Sequence, residues 1–154
     1  MTEHQTDPLA VEAQVCLTVS AAARSLVGFY RPLLAPLGLT HPQYLAMLAL
    51  WQYGPISLTE LAGHLHLEPA TTSPLVRRLE AMGLLRRERD RADERALILV
   101  LTDSGRDLRR LAVEIPATMV QRLALEPAQI DEIRRAAELL VAACTAASDG
   151  RTAG

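Results

Sequence analysis

Apolar positions fall into long helical stripes at the two ends of the chain and into shorter, punctuated runs between them. Near the start, Cys16, Val19, Ala23, Leu26 and Tyr30 step by three and four residues, one face of an amphipathic helix predicted over 8–29. Pro8 suits its first turn and Gly28 loosens its end, and the stretch from Arg31 to Gly38, holding Pro32 and Pro36, predicts a broken connector. Near the other end, Ile130, Ile133, Ala137, Leu140 and Cys144 mark a helix opened by Glu126 and Pro127 and fraying from Ala146. Between these stripes, Thr40-His41-Pro42-Gln43 has the form of a capping box and predicts a helix through Trp51, stopped by Tyr53-Gly54-Pro55. Ser57-Leu58-Thr59-Glu60 is a second such box, with a helix to about Leu65. Pro69 in a first turn and Gly83 as a stop predict another helix from Pro69 to Met82.

Two short helices joined by so tight a turn predict a helix-turn-helix. Leu84–Arg89 and Arg95–Leu101 read as two strands around a polar tip, a hairpin or wing. Thr102-Asp103-Ser104 then caps a long helix that Pro116 should kink. The pattern as a whole predicts one mainly α domain over 1–154, with a small β wing. Within it, 40–101 is a winged helix-turn-helix region for DNA, flanked by dimerisation helices in 8–36 and 103–148. The flanking stripes are too long for a small winged core to cover. The economical solution is that they pack together and against a second copy, giving an intertwined homodimer with two modules spaced for two half-sites.

Composition narrows the partners. With 154 residues, 49% of them hydrophobic, and a net charge of −2, the chain is neither disordered nor a general binder of polyanions. All 16 cationic side chains are arginine, and the charge is uneven: residues 77–95 hold seven arginines against five acids, +2, leaving −4 to the rest. A basic patch on an acidic protein points to targeted contact with nucleic acid. Neither a signal peptide nor a bilayer-length apolar run is seen, so a cytoplasmic protein with no membrane association is expected, with reduced thiols. Cys16 and Cys144 match no zinc or CxxC spacing, and His64-x-His66 lacks the further ligands of a metal site, so no metal or cofactor is expected.

The second helix of the helix-turn-helix is the candidate for the major groove. Thr71, Thr72 and Ser73 lead it, and Arg77 and Arg78 follow one to two turns later, long enough for base edges or phosphates. Arg91 and Arg95 in the wing are placed for an adjacent minor groove, and Asp93 is spaced to aim Arg95 through a bidentate pair. Cys16 reads either as a small residue filling its stripe or as a reactive thiol, which needs a group to stabilise the thiolate. Tyr30, His41 and Tyr44 are the candidates. Along a continuous helix Tyr30 is ~21 Å from Cys16, at about 1.5 Å per residue, so only the Tyr30 of a second subunit can reach it. Cys144 is either structural or a resolving thiol for the other subunit's Cys16.

In this order of elements the chain resembles the MarR family of dimeric winged-helix regulators over nearly its whole length. Gln14-Val15-Cys16-Leu17, Phe29-Tyr30-Arg31-Pro32-Leu33-Leu34 and Pro42-Gln43-Tyr44-Leu45 look like its organic-hydroperoxide-sensing, OhrR-like branch. Leu50-Trp51, Leu84, Asp93-Glu94-Arg95 and Glu114-Ile115-Pro116 do so too. The resemblance implies a repressor, not an enzyme. Cys16 would be oxidised by an organic hydroperoxide to a sulfenic acid, breaking hydrogen bonds to tyrosines such as Tyr30 across the dimer and releasing operator DNA. This chain has Ser20 and His41 where the branch has two further tyrosines. Positions 120–122, where two-cysteine members carry their second thiol, are Val120, Gln121 and Arg122. That favours a one-cysteine route closed by a low-molecular-weight thiol. The alternatives are a MarR-like repressor released by a small aromatic or phenolic ligand, with Cys16 passive, and a small cysteine peroxidase, which would leave the wing without a purpose.

Overall fold

The structure is a computed structural model that describes Ala10 and residues 14–149. Its elements are α1 (Val15–Leu34), a 3-10 turn (Ala35–Leu37), α2 (His41–Tyr53), β1 (Ile56–Ser57), α3 (Leu58–His64) and α4 (Pro69–Ala81). After these come β2 (Leu85–Arg89), β3 (Leu97–Leu101), α5 (Asp103–Ala112), α6 (Ile115–Leu123) and α7 (Pro127–Asp149). The fold is mainly helical with one small antiparallel sheet, a winged helix. The chain divides into two compact units, the first ending at Ile115 and the second beginning at Pro116. No single helix among the described residues is long and apolar enough to cross a membrane.

The first unit is built around α2. This helix is apolar on nearly all sides and buries Tyr44, Ala46, Met47, Ala49 and Leu50. Leu34, Leu61, Val76, Leu79, Leu85 and Leu99 close around it, each at most 2% exposed. Burial of each such leucine contributes about 1.5–3 kcal/mol. Both capping boxes form as the sequence predicts. Thr40 N donates to Gln43 Oε1 at 2.8 Å and Gln43 N to Thr40 Oγ1 at 3.4 Å; Ser57 N donates to Glu60 Oε2 at 2.7 Å and Glu60 N to Ser57 Oγ at 3.2 Å.

Several boundaries differ from the sequence reading, among them the second wing strand, which starts at Leu97 and leaves Arg95 in the turn. The first helix starts only at Val15, with Ala10 non-helical and Gln14 its extended N-cap. It runs past Gly28 and Pro32 to Leu34, because Leu34 is fully buried and draws its last turn into the core; residues 8, 9 and 11–13 of the predicted helix lie outside the described residues. The predicted long helix is interrupted at residues 113–114, just ahead of Pro116, and becomes α5 and α6. Proline has no N–H for the Ala112 carbonyl, so the helix stops at Ala112 and restarts at Ile115 with Pro116 in its first turn. The last helix does not fray at Ala146, since Thr145 Oγ1 donates to Val141 O and Ser148 Oγ to Cys144 O, and it reaches Asp149. A third strand, β1, pairs Ile56 with Leu99 and Ser57 with Ile98, so β3 is the central strand of the order β1-β3-β2.

The joint between α4 and the hairpin is tight. Gly83 takes φ +72°, where a side chain would be strained. Thr102 closes this joint: its hydroxyl donates to Gly83 O and its N–H to Leu84 O. In the second unit α7 stands almost bare, with every described side chain exposed except half-buried Ile130.

Candidate DNA interface and thiol site

Helix α4 has two faces. Thr72, Val76 and Leu79, four and three residues apart, are all 0% exposed and form its inner side. Thr71, Arg77 and Arg78 are exposed, and Ser73 is half-buried at the flank. Thr72 is therefore a correction to the set read from the sequence. Its hydroxyl donates to Glu68 O at 3.0 Å inside the first turn, and a fully buried side chain bonded to its own backbone cannot reach a groove.

The wing pairs β2 with β3 from Leu85–Leu101 to Arg89–Leu97. Its tip is ordered by two aspartates acting on backbone: Asp90 Oδ1 accepts from Ala92 N and Asp93 Oδ1 from Arg95 N, each at 3.0 Å. Asp93 thus shapes the turn that carries Arg95 and makes no ion pair with its guanidinium, contrary to the bidentate pair read from the sequence. The seven arginines of residues 77–95 sort into two groups. Arg86 pairs with Glu88, Arg87 with Glu80, and Arg89 donates to Glu94 O. Arg77, Arg78, Arg91 and Arg95 are exposed and have no acidic partner among the described residues. The four arginines singled out from the sequence are the four left free to meet phosphates or base edges. The engagement of Arg87 and Arg89 had no sequence signal, because strand register decides it.

Cys16 lies in the first turn of α1, exposed, with Gln14, Leu17, Ser20 and Arg24 lining an open groove beside it. Its Sγ is 4.0 Å from Gln14 Oε1. Tyr30 sits on the same unbroken helix, so the separation of ~21 Å at about 1.5 Å per residue holds and the two do not meet within one chain. Tyr30 instead gathers His41 and Tyr44, with ring centroids 5.0 and 5.8 Å away. Burial pushes the Tyr30 hydroxyl above its ordinary value and His41 below its own. Tyr44 is raised by burial and further by the neighbouring Tyr30. The rings therefore stay neutral and offer hydrogen-bonding groups around neutral pH.

Cys144 is an exposed free thiol on α7. His64 stacks flat on Tyr53, with centroids 4.0 Å apart and planes 2° apart. Among the described residues, no group of three or more His, Cys, Asp or Glu side chains is placed to hold a metal ion.

The MarR family pattern matches residues 39–97, from the start of α2 to the wing. The chain is 36% identical over 118 residues to the organic hydroperoxide resistance transcriptional regulator of Bacillus subtilis, covering 77% of this chain and 80% of that one. It is 44% identical over 113 residues to the HTH-type transcriptional regulator TtmR of Methylorubrum extorquens, covering 73% of this chain and 58% of TtmR. Among solved structures it is similar to reduced AbfR bound to DNA, with TM-score 0.71 and 29% identity over 87% of this chain and 94% of AbfR. AbfR, from Staphylococcus epidermidis, has also been solved overoxidised on DNA and in a disulfide-formed state. Sharing sequence and fold with these regulators over most of its length, the chain belongs to the MarR family and is a DNA-binding transcriptional regulator, not an enzyme.

Proposed function

We propose that this regulator is a repressor that senses organic hydroperoxides through Cys16 and releases its operator when that thiol is oxidised. The observation that carries the reading is the exposed Cys16 thiol at the head of α1, in an open groove, in a chain 36% identical to a regulator of organic hydroperoxide resistance. In this reading residues 8–36 and 103–148 make a homodimer, and 40–101 of each copy grips half of the operator. The side chains of Tyr30, His41 and Tyr44 cluster with no hydrogen-bond partner among the described residues, and Cys16 of a second copy is the group they would receive. His41 and Ser20 stand in for two tyrosines of the OhrR-like branch, so the neutral imidazole takes over one hydroxyl's part.

The chemistry is a two-electron transfer. The Cys16 thiolate attacks the distal oxygen of the hydroperoxide; an S–O bond forms, the O–O bond breaks, and the alkoxide leaves and takes a proton from water. Condensation of the sulfenic acid with a low-molecular-weight thiol then forms a mixed disulfide and releases water. Either product is larger and more polar than a thiol and no longer fits between packed helices, so the winged regions shift and DNA is released. Cys144 takes no part in this one-cysteine route.

The test is DNA retention by wild type and Cys16→Ser after cumene hydroperoxide, with intact-mass analysis of both. The variant should bind DNA as wild type does and keep it through peroxide treatment, while wild type gains one oxygen atom on Cys16 and lets go. A Cys16→Ser protein that still releases DNA on oxidation sinks the reading.

A further inference from the structure

The engaged arginines of β2 follow the pleat of the strand. Alternation sets Leu85, Arg87 and Arg89 on one face and Arg86 and Glu88 on the other. Arg86 and Glu88 pair with each other in solvent. On the inner face, Leu85 is 1% exposed and belongs to the core that also holds α4. Two residues on, Arg87 reaches back to the last turn of α4, its Nε 3.4 Å from Glu80 Oε2. That Nε is shut off from water and makes no aligned hydrogen bond, and Glu80 is its ion-pair partner. Two residues further, Arg89 donates to Glu94 O at 2.7 Å, inside the loop that carries Arg91 and Arg95. One face of one strand thus runs from the hydrophobic core, through an ion pair with the groove-facing helix, to the wing tip.

From this we infer that Glu80, Arg87 and Arg89 form a strut that fixes the wing against α4, and that Glu80 is a positioning residue for Arg91 and Arg95. Only Met82, Gly83 and Leu84 join α4 to β2, with Gly83 at positive φ and its carbonyl held by the Thr102 hydroxyl. The strut spans the same joint through side chains. The two side chains of the pair are 31% and 39% exposed, so they add little to global stability, and the effect of breaking them falls on wing placement. The charge of Glu80 makes the inference distinctive. An acid near a DNA-facing surface repels phosphate, so its neutralisation by itself strengthens DNA binding. As a strut, its neutralisation weakens it.

The test uses full-length wild type, Glu80→Gln, Arg87→Met, the double variant and Arg87→Lys, with a duplex enriched from a random pool on the wild-type protein. Affinity, its salt dependence, hydroxyl-radical footprints and thermal midpoints are read together. Glu80→Gln should bind about tenfold more weakly, the order of one good base contact. Protection should vanish only at the flanks covered by the wing, and the salt slope should flatten by about 0.9 for each phosphate that the wing arginines cease to neutralise. The double variant should be no weaker than Arg87→Met, and Arg87→Lys should restore flank protection in part, with thermal midpoints close to wild type throughout. Tighter binding by Glu80→Gln with flank protection unchanged overturns the inference. So does an additive loss in the double variant, which would make Arg87 a direct DNA contact, or a uniform loss of protection that tracks a fall in thermal midpoint.

Discussion

Replacing Gly105 by alanine adds one methyl group at the most crowded glycine among the described residues. A Cβ there would lie 2.0 Å from Leu84 O, 3.0 Å from Leu84 C and 3.1 Å from Leu101 Cδ2. An ordinary contact between carbon and a carbonyl oxygen is about 3.3 Å or more, so α5 and the start of the wing must separate by about 1.3 Å. No rotamer relieves this, because the obstacle is a backbone oxygen that also accepts from Thr102 N at 3.1 Å. Overpacking of this kind costs about 1–3 kcal/mol, and a rigid obstacle sets it at the upper end. Against that stands the gain of about 1 kcal/mol from alanine over glycine in a helix. A net loss of ~2 kcal/mol follows, or about 4–8 °C in thermal midpoint for a chain of this size. Gly63 in α3 is the control, since nothing lies within 4 Å of its added Cβ, and Gly63→Ala should gain stability of up to about 1 kcal/mol. Urea unfolding measures both. Trp51, the only tryptophan, reports the local shift in its emission, because its Nε1 donates to Gly105 O at 2.8 Å. If Gly105→Ala is stabilised to the same degree as Gly63→Ala, with unchanged emission, the packing argument at the wing root fails.

Two further substitutions probe the same unit. Thr72→Val should keep wild-type affinity for DNA and change stability by no more than about 1 kcal/mol, the worth of one internal hydrogen bond, whereas Thr71→Ala weakens DNA binding at unchanged stability. Reversed outcomes in a gel-shift would return Thr72 to the interface. His41 makes stability depend on pH: burial holds its folded-state pKa below the ordinary 6.5, so its contribution is complete above pH 6.5 and declines as pH falls from there toward the folded value. Urea midpoints measured at about pH 7.5 and about pH 5.5 should differ less in His41→Gln than in wild type; an equal difference would place the pH dependence elsewhere.

Local signals carried most of the fold. The two capping boxes, Pro69 and Gly83 mark α2, α3 and α4 because caps and stops act within one or two turns. Where tertiary contact decides, the sequence was silent or misleading. Two residues, Ile56 and Ser57, become a strand only because β3 lies open beside them. Leu34 pulls a proline-containing turn into helix because its side chain has a core to enter. In the candidate interface the free arginines were legible as charge, while the inward side of α4 was not separated from the outward one. A run of three small hydroxyl side chains looks uniformly polar, and only the phase set by Val76 and Leu79 turns Thr72 inside. Asp93 shows the complementary limit: its spacing to Arg95 suits an ion pair and an Asx turn equally, and the tight tip of the hairpin selects the turn.

The exposed stripes of α1 and α7 make the proposed homodimer testable by dilution alone. In the single chain, Val15, Leu17, Val19, Leu26 and Val27 on α1 are between 40% and 68% exposed, and Ile133, Leu139, Leu140 and Val141 on α7 between 36% and 72%. Apolar side chains left at water in such numbers, on two of the longest helices, are characteristic of surfaces that another chain covers. A long helix with no buried residue also has little to hold it, since helices in water draw most of their stability from packing one face. If a second copy supplies that packing, unfolding is coupled to dissociation, and the thermal midpoint must rise with protein concentration by mass action. Circular dichroism melts over roughly a hundredfold range of concentration should therefore shift upward, with helical signal falling at the dilute end before the Trp51 environment changes. A midpoint and helical signal independent of concentration, with a monomeric mass in sedimentation, would refute the dimer. It would also leave Cys16 with no second subunit to bring Tyr30 to it.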